Sequence, residues 1–278
     1  MKNNPLVSVI VVSKNSSETI GACLLSIKNQ NYPNIELILV DNKSKDNTIL
    51  ISRKYTDTIF NKGPERSAQR NYGAIKSTGD FVCFIDSDME LEEDVVSKAI
   101  EAIKLSNAKI LVLPELSIGF GFWAKCKALE RSFYLNVDWM EAARFFDSKI
   151  FKEFNGFDEE NTGTEDFDLP QRIKTKYGDK IESRIDCFIK HNERNLSLYK
   201  TLRKKFYYAQ NLNEYKKNNL IKLKKQSSIL QRYSLFFKDY NKLFKNPIVG
   251  IGMLFMKTSE FIAGGFGYLL SNVLKNKK

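Results

Sequence analysis

Short apolar runs and helical spacing take turns through the first ninety residues of this 278-residue chain, and few folds accommodate that order. Val7 to Val12 is an aliphatic, β-branched run too short for a helix, closed by Ser13, Lys14 and Asn15. Glu18 to Asn29 then sets Ile20, Leu24, Leu25 and Ile27 at helical spacing, with Ser16 or Ser17 as a cap. Ile35 to Val40 is a second buried strand ending in Asp41-Asn42, and Ser44-Lys45-Asp46 leads into a helix over Asn47 to Tyr55. Asp57 to Phe60 gives a short third strand, Ser67 to Ser77 a helix, and Phe81 to Ile85 a fourth strand. Strands joined by helices predict an α/β fold with a parallel sheet covered on both faces. Ser13, Asp41 and Asp86 then share one edge of it.

That edge is where open α/β sheets take their ligands. The fourth strand closes in Asp86-Ser87-Asp88, two carboxylates that repel each other unless a cation or donors compensate them. Hard divalent cations such as Mg²⁺ take oxygen ligands and share them with substrate phosphates, so the pattern suggests a metal–diphosphate site. A solvated turn in which Asp88 begins the next helix fits the same residues. No Gly-x-Gly-x-x-Gly or Walker loop follows any of these strands, which disfavours an NAD enzyme or a P-loop NTPase. The cluster Gly264, Gly265 and Gly267 lies in an apolar tail and reads as helix packing or a bend.

In chain order, Ser8 to Asn15, Glu36 to Thr48, Ala68 to Ala74, Asp86-Ser87-Asp88, Asn155 to Glu159 and Thr164 to Leu169 resemble the motifs of the family 2 glycosyltransferases with the GT-A fold. The resemblance covers roughly residues 5 to 190, and it implies roles. Asp41 would read the nucleotide base, with Ser13 and Asn15 lining the base and ribose pocket. Arg70 would bind diphosphate or the pocket carboxylates. Asp86 would touch ribose or metal, and Asp88 would ligate an Mg²⁺ or Mn²⁺ ion that stabilises the leaving nucleoside diphosphate. Asp166 would be the general base for the acceptor hydroxyl, with Glu165 on the acceptor side and Asp168 close enough to perturb its pKa. Glu165-Asp166 also suits the start of a helix over Phe167 to Tyr177. Some relatives place a metal- or diphosphate-contacting histidine after the Glu-Asp motif. Here that is His191, the chain's single histidine, after a strand-like Ile185 to Ile189; an ordinary packed residue is the other reading.

The resemblance has departures. Asn155 stands where many relatives have Gly, and the Gln-x-x-Arg-Trp motif of processive synthases is missing, since Gln171-Arg172 is adjacent and no Trp follows. The expected reaction is one inverting sugar transfer from a nucleotide-diphosphate sugar to an acceptor, a lipid-linked saccharide or other glycan. A polyprenyl-phosphate hexosyltransferase is the alternative within the class. A non-catalytic basic membrane- or nucleic-acid-binding protein on the same scaffold is the alternative outside it, opposed by intact Asp41, Asp86, Asp88 and Asp166.

Residues 190–278 carry 19 Lys and Arg against 4 Asp and Glu, a balance of +15 in a chain whose total is +11. The expected division is a catalytic domain over 1–192 and a basic helical extension over 193–278. Leu196 to Tyr215 interleaves Lys and Arg with Leu, Phe and Tyr as an amphipathic basic helix. Pro247 to Met256 and Phe261 to Leu270 are two apolar runs of ten, separated by Lys257-Thr258-Ser259-Glu260. In-plane or re-entrant helices, a single span with Lys257 and Glu260 paired, or a helix pair packed on the catalytic domain all fit. With no RNA-binding motif present, the expected partner is an anionic membrane surface rather than nucleic acid. The chain shows no signal peptide, so the expected location is the cytoplasmic face of the membrane, peripheral or monotopic. Glu115 to Arg131, with Gly119, Phe120, Gly121, Phe122 and Trp123, is either part of an acceptor cleft or core packing. Cys23, Cys83, Cys126 and Cys187 are widely spaced and read as reduced thiols.

Overall fold

A computed structural model describes residues 4–161, 164–210 and 228–275, with the side chains of 272–275 excepted. It forms two compact units, one made of the residues up to Glu115 with Ala142–Glu159 and Glu165–Asn192, the other of Leu116–Glu141, Glu160–Thr164 and the residues from Glu193 onward.

The first unit holds the expected alternation as β1 (Val7–Ser13), α1 (Ile20–Lys28), β2 (Ile35–Asp41), α2 (Thr48–Ser52), β3 (Ile59–Asn61), α3 (Arg66–Lys76) and β4 (Phe81–Asp86). It adds β5 (Met89–Leu91), α4 (Val95–Ser106), β6 (Ile110–Val112), β8 (Ala143–Asp147), α6 (Ser148–Glu153), α7 (Glu165–Tyr177) and β9 (Glu182–Arg184). The sheet order is β3-β2-β1-β4-β8-β6-β9. Strands β3, β2, β1 and β4 are parallel, β8 runs antiparallel between β4 and β6, and β9 is parallel to β6. Because side chains alternate across a strand, Val9 and Val11 pack under α1 and α4 while Ile10 packs with Ile38, Val40 and Phe84 on the other face. Both faces are covered, which is why the strands read as unbroken apolar runs. Phe84, Phe146, Phe151 and Phe157 meet with ring centroids 5.0–6.1 Å apart and form the floor beneath α3 and α7.

Two local expectations are corrected. Neither Ser16 nor Ser17 caps α1: its N-cap is Thr19, the Ser16 hydroxyl donates to the Lys14 carbonyl, and the Ser17 N–H donates to Asp46. Of Ile185 to Ile189 only Ile189 belongs to a strand. Ile185, Cys187 and Ile189 alternate inward, but the Phe188 N–H donates to the Glu92 carboxylate instead of a ladder. His191 lies within β10 (Ile189–Asn195), opposite Met89 of β5.

In the second unit, β7 (Glu115–Phe120) runs into α5 (Phe122–Ser132), and α8 (Leu198–Gln210), α9 (Ile229–Lys238), α10 (Tyr240–Phe244) and α11 (Pro247–Lys275) follow. The basic helix expected over Leu196 to Tyr215 is present as α8, and residues 211–215 lie outside the described residues. The two apolar runs are one helix of 29 residues. It stays continuous because Lys257 and Glu260, which looked like a break, find partners. Lys257 pairs with Glu130 at 2.8 Å and with Glu260 at 2.9 Å, and Lys127 pairs with Glu130 at 2.8 Å and with Glu260 at 3.0 Å. Two cations and two anions thus close a ring between α5 and α11, almost fully buried, and the Tyr134 hydroxyl donates to Glu130 at 2.7 Å. Close approach is secured by glycine. A Cβ at Gly252 would meet Phe122 of α5 at 2.3 Å, and one at Gly267 would meet the Phe206 carbonyl of α8 at 2.3 Å. All four cysteines are free and buried, as expected of reduced thiols.

Candidate active site

Parallel pairing aligns Ser13 with Asp41 and Val12 with Asp86, so the three strand ends share one edge. At the β1–β2 end, Asp41 is buried. Its Oδ1 accepts from the Ser13 hydroxyl at 2.7 Å and the Ser44 hydroxyl at 2.5 Å, and its Oδ2 accepts from the Ser44 N–H at 2.7 Å. Asn15 is exposed in the left-handed region at φ 50°, and its side chain accepts from the Lys45 N–H at 2.8 Å. Gln69 of α3 donates to the Ser13 and Val40 carbonyls, which ties the helix to both strand ends.

At the β4 end the charges are dense. Arg70 has no exposed surface; its Nη2 donates to Asp86 at 2.8 Å and its Nη1 to Asp166 at 2.5 Å, and the guanidinium lies 5.4 Å over the Phe157 ring. A surface ion pair is therefore excluded for this arginine. Arg66, one turn earlier on α3, approaches Asp86 at 3.8 Å and Glu165 at 3.5 Å. Arg144, on β8, donates through Nε to Glu115 at 2.6 Å and comes within 3.6 Å of Asp86. Burial opposes ionisation of Asp86, but Arg70, Arg144 and Arg66 outweigh it and hold its pKa far below the usual carboxylate range. Glu165, at the first turn of α7, moves the other way: burial and the neighbouring Asp166 push its pKa up. Asp168 instead pairs with Arg172 at 2.8 Å, which directs it away from the other two.

Asp88 and His191 face each other, with Nε2 3.6 Å from the carboxylate, while His191 Nδ1 lies 3.5 Å from Glu115. Burial alone would lower the His191 pKa; Asp88 and Glu115 together push it up to about 10. Among the described residues no three His, Cys, Asp or Glu side chains form a metal cluster. Asp86 is held by guanidinium groups, so the oxygen and nitrogen donors left for a cation are Asp88 and His191. Asp88 is 38% exposed, and the nitrogen of His191 that faces it is Nε2, so the proton that the two carboxylates hold on the imidazole would have to leave for a cation to bind there. Two protein donors suit a hard cation that brings its remaining oxygens from phosphates and water.

Of the expected site residues, the structure gathers Arg70, Asp86, Glu165 and Asp166 into one charge network, sets Asp88 beside His191, and joins Ser13 to Asp41. Trp123 stands on α5 of the second unit, half-buried against Phe122 and Phe255 with centroids at 4.9 and 6.2 Å. Arg66, Glu115 and Arg144 escaped the reading of the sequence. The available signal was Arg144 itself, a charged residue inside Ala142-Ala143-Arg144-Phe145-Phe146, which demands buried partners.

Residues 8–153 match glycosyl transferase family 2. An uncharacterized glycosyltransferase of Haemophilus influenzae is 38% identical over 105 residues, 34% of this chain and 41% of that protein. The UDP-Glc:alpha-D-GlcNAc-diphosphoundecaprenol beta-1,3-glucosyltransferase of Escherichia coli is 35% identical over 88 residues, 30% of this chain and 35% of its own length. The chain thus spans less than half the length of these relatives. Among solved structures, a mannosyltransferase from Pyrobaculum calidifontis in complex with GDP-Man and Mn2+ superposes with a TM-score of 0.66 at 14% identity, over 96% of this chain and 88% of that one. Glucosyl-3-phosphoglycerate synthase from Mycobacterium tuberculosis, with Mn2+ and uridine-diphosphate, gives 0.53 at 16% identity over 77% and 80%. With the strand-end carboxylates, the mostly parallel sheet and the family match all in agreement, this chain belongs to glycosyl transferase family 2 and has the GT-A fold.

Proposed function

We propose that this enzyme transfers one sugar, with inversion, from a nucleotide-diphosphate sugar to a lipid-linked saccharide or related glycan at the cytoplasmic face of a membrane. The observation that carries the reading is Arg70, whose buried guanidinium joins Asp86 at the end of β4 to Asp166 at the start of α7. The strand end that faces a donor diphosphate and the helix start that faces an acceptor are thereby held in one geometry. Asp41, with Ser13 and Asn15, reads the base, because an ionised carboxylate only accepts and an imide or amino N–H only donates. Asp88 and His191 would hold Mg²⁺ or Mn²⁺, whose charge, when bound, offsets that developing on the leaving diphosphate. Asp166 takes the acceptor hydroxyl's proton as the bond to the anomeric carbon forms, and Glu165, with its raised pKa, shapes the acceptor side. Trp123 is assigned to the acceptor side as well. The division into a catalytic domain and a basic extension, and an anionic membrane rather than nucleic acid as partner, belong to the same proposal. The relative with a diphosphoundecaprenol-linked substrate supports the choice of acceptor.

Thermal unfolding of the full chain with UDP-, GDP- and other nucleotide sugars, with and without Mn²⁺, tests this. The matching donor at a hundred times its dissociation constant stabilises by about 2.7 kcal/mol. Stabilisation by one donor that disappears when Mn²⁺ is omitted is expected; no stabilisation by any of them overturns the reading.

A further inference from the structure

The C-terminal helix α11 is built the wrong way round for a surface facing water. From Pro247 to Leu274 its only charged residues are Lys257 and Glu260, and both are buried in the ring with Lys127 and Glu130. Apart from Thr258, whose hydroxyl donates to the Leu254 carbonyl within the helix, its outward side chains are apolar: Ile248, Ile251, Phe255, Ile262, Phe266 and Leu269 are all more than half exposed. They recur at intervals of three, four and seven, which is one stripe along a helix, on the side where a soluble helix carries its polar residues. Ile248 to Leu269 spans about 30 Å at 1.5 Å per residue.

Length and apolarity would let α11 cross a bilayer, but its neighbour would not follow. Helix α8 packs along it: the Gly267 backbone meets Phe206, and the Ser271 hydroxyl donates to the Gln210 carbonyl at 2.9 Å. The exposed face of α8 carries Lys200, Arg203 and Lys204, with no acidic residue in the helix. A spanning α11 would carry these cations into hydrocarbon, where charge is costly. At the headgroup level the same cations meet lipid phosphates while the apolar stripe enters the acyl boundary.

We propose that α11 lies in the plane of an anionic bilayer, its Ile248–Leu269 stripe sunk to the acyl boundary and the basic face of α8 against the headgroups. The proposal deepens the membrane association put forward above by fixing how the chain meets lipid, and it does not depend on the donor or the acceptor.

The test uses the full chain. Because the native cysteines are buried, single cysteines placed by Ile248→Cys, Phe255→Cys, Ile262→Cys and Leu269→Cys take an environment-sensitive label selectively. On vesicles of phosphatidylglycerol and phosphatidylcholine carrying quenchers at defined depths, all four labels should sit at one shallow depth. Phosphatidylcholine alone should bind more weakly. Depth that grades from Ile248 to Leu269 would show a span and overturn the proposal. Labels unaffected by vesicles would assign the stripe to a second copy or another protein, and overturn it too. Phe255→Glu with Phe266→Glu should lower partitioning about a hundredfold or more, since each buried Phe contributes over tenfold. Donor-induced stabilisation of that variant is read in parallel: its absence in the parent chain as well would count against the proposed reaction and leave the lipid result standing.

Discussion

Arg70 is shared by two acids, Asp86 and Asp166, to which the proposed reaction gives different work, so substitutions around it should separate binding from chemistry. Asp166→Asn keeps a hydrogen-bond acceptor for Arg70 but removes the proton acceptor. It should lower kcat by about 10² to 10⁴ with little change in donor affinity. Turnover set beside donor titration checks this; loss of donor affinity would instead place Asp166 on the diphosphate. Arg144→Met removes the Glu115 ion pair and one of the three guanidinium groups around Asp86, and breaking a buried pair costs about 3–5 kcal/mol, readable as a shift in urea midpoint. Arg144→Lys should recover part of it, because an ammonium keeps the charge but not the fork between two carboxylates. The places of the proposed site residues in the fold were legible because the strand and helix ends were: Asp41 and Asp86 end strands, Asp88 follows the second of these, and Asp166 lies in the first turn of a helix. Arg66, Glu115 and Arg144 were not. A charge in a sequence does not disclose which partner lies across the sheet, and Arg144 meets Asp86 from a strand 58 positions later in the chain.

At the scale of elements, the ring between α5 and α11 makes the second unit sensitive to acid. Burial raises carboxyl pKa values, but Lys127 and Lys257 hold Glu130 well below its ordinary value and Glu260 down to about 2. Carboxyls with depressed pKa values stabilise the fold at neutral pH. That stabilisation begins to fall as pH drops through about 4.5, and the share of Glu260 is gone near pH 2, where its folded carboxylate too takes up a proton. The lysines, raised by the same partners, lose theirs only above about 10.5. A stability profile should therefore be flat between these limits on the ring's account, and Glu130→Gln should both destabilise and flatten the acid limb. Urea denaturation from pH 2 to 7 with parent and variant checks both. Two boundaries misled: Lys257-Thr258-Ser259-Glu260 separates two apolar runs in the sequence only until its charges find α5, and in the first unit Ile185 to Phe188 alternates like a strand because burial alternates, whatever the backbone bonds do.

Across the whole molecule, the +15 balance of residues 190–278 and the apolar stripe should act on membranes in distinguishable ways. At about 1 M salt the screening length falls to about 3 Å, so the attraction of Lys and Arg to lipid phosphates fades while apolar insertion persists. Vesicle flotation of the full chain should weaken with salt without vanishing, and removal of residues 241–278 should leave at most a remnant that salt abolishes. A full chain that floats free at high salt would make the attachment purely electrostatic. The ring also bears on assembly. Lys127 and Glu130 sit three residues apart on α5, and Lys257 and Glu260 three apart on α11, each pair bonded within its own helix. Each helix thus brings a neutral half, and parting the two strands no charge. Helix α11 can complete the ring on any α5 that presents the matching half, including that of a neighbouring copy, so exchange of this helix between chains carries no electrostatic penalty.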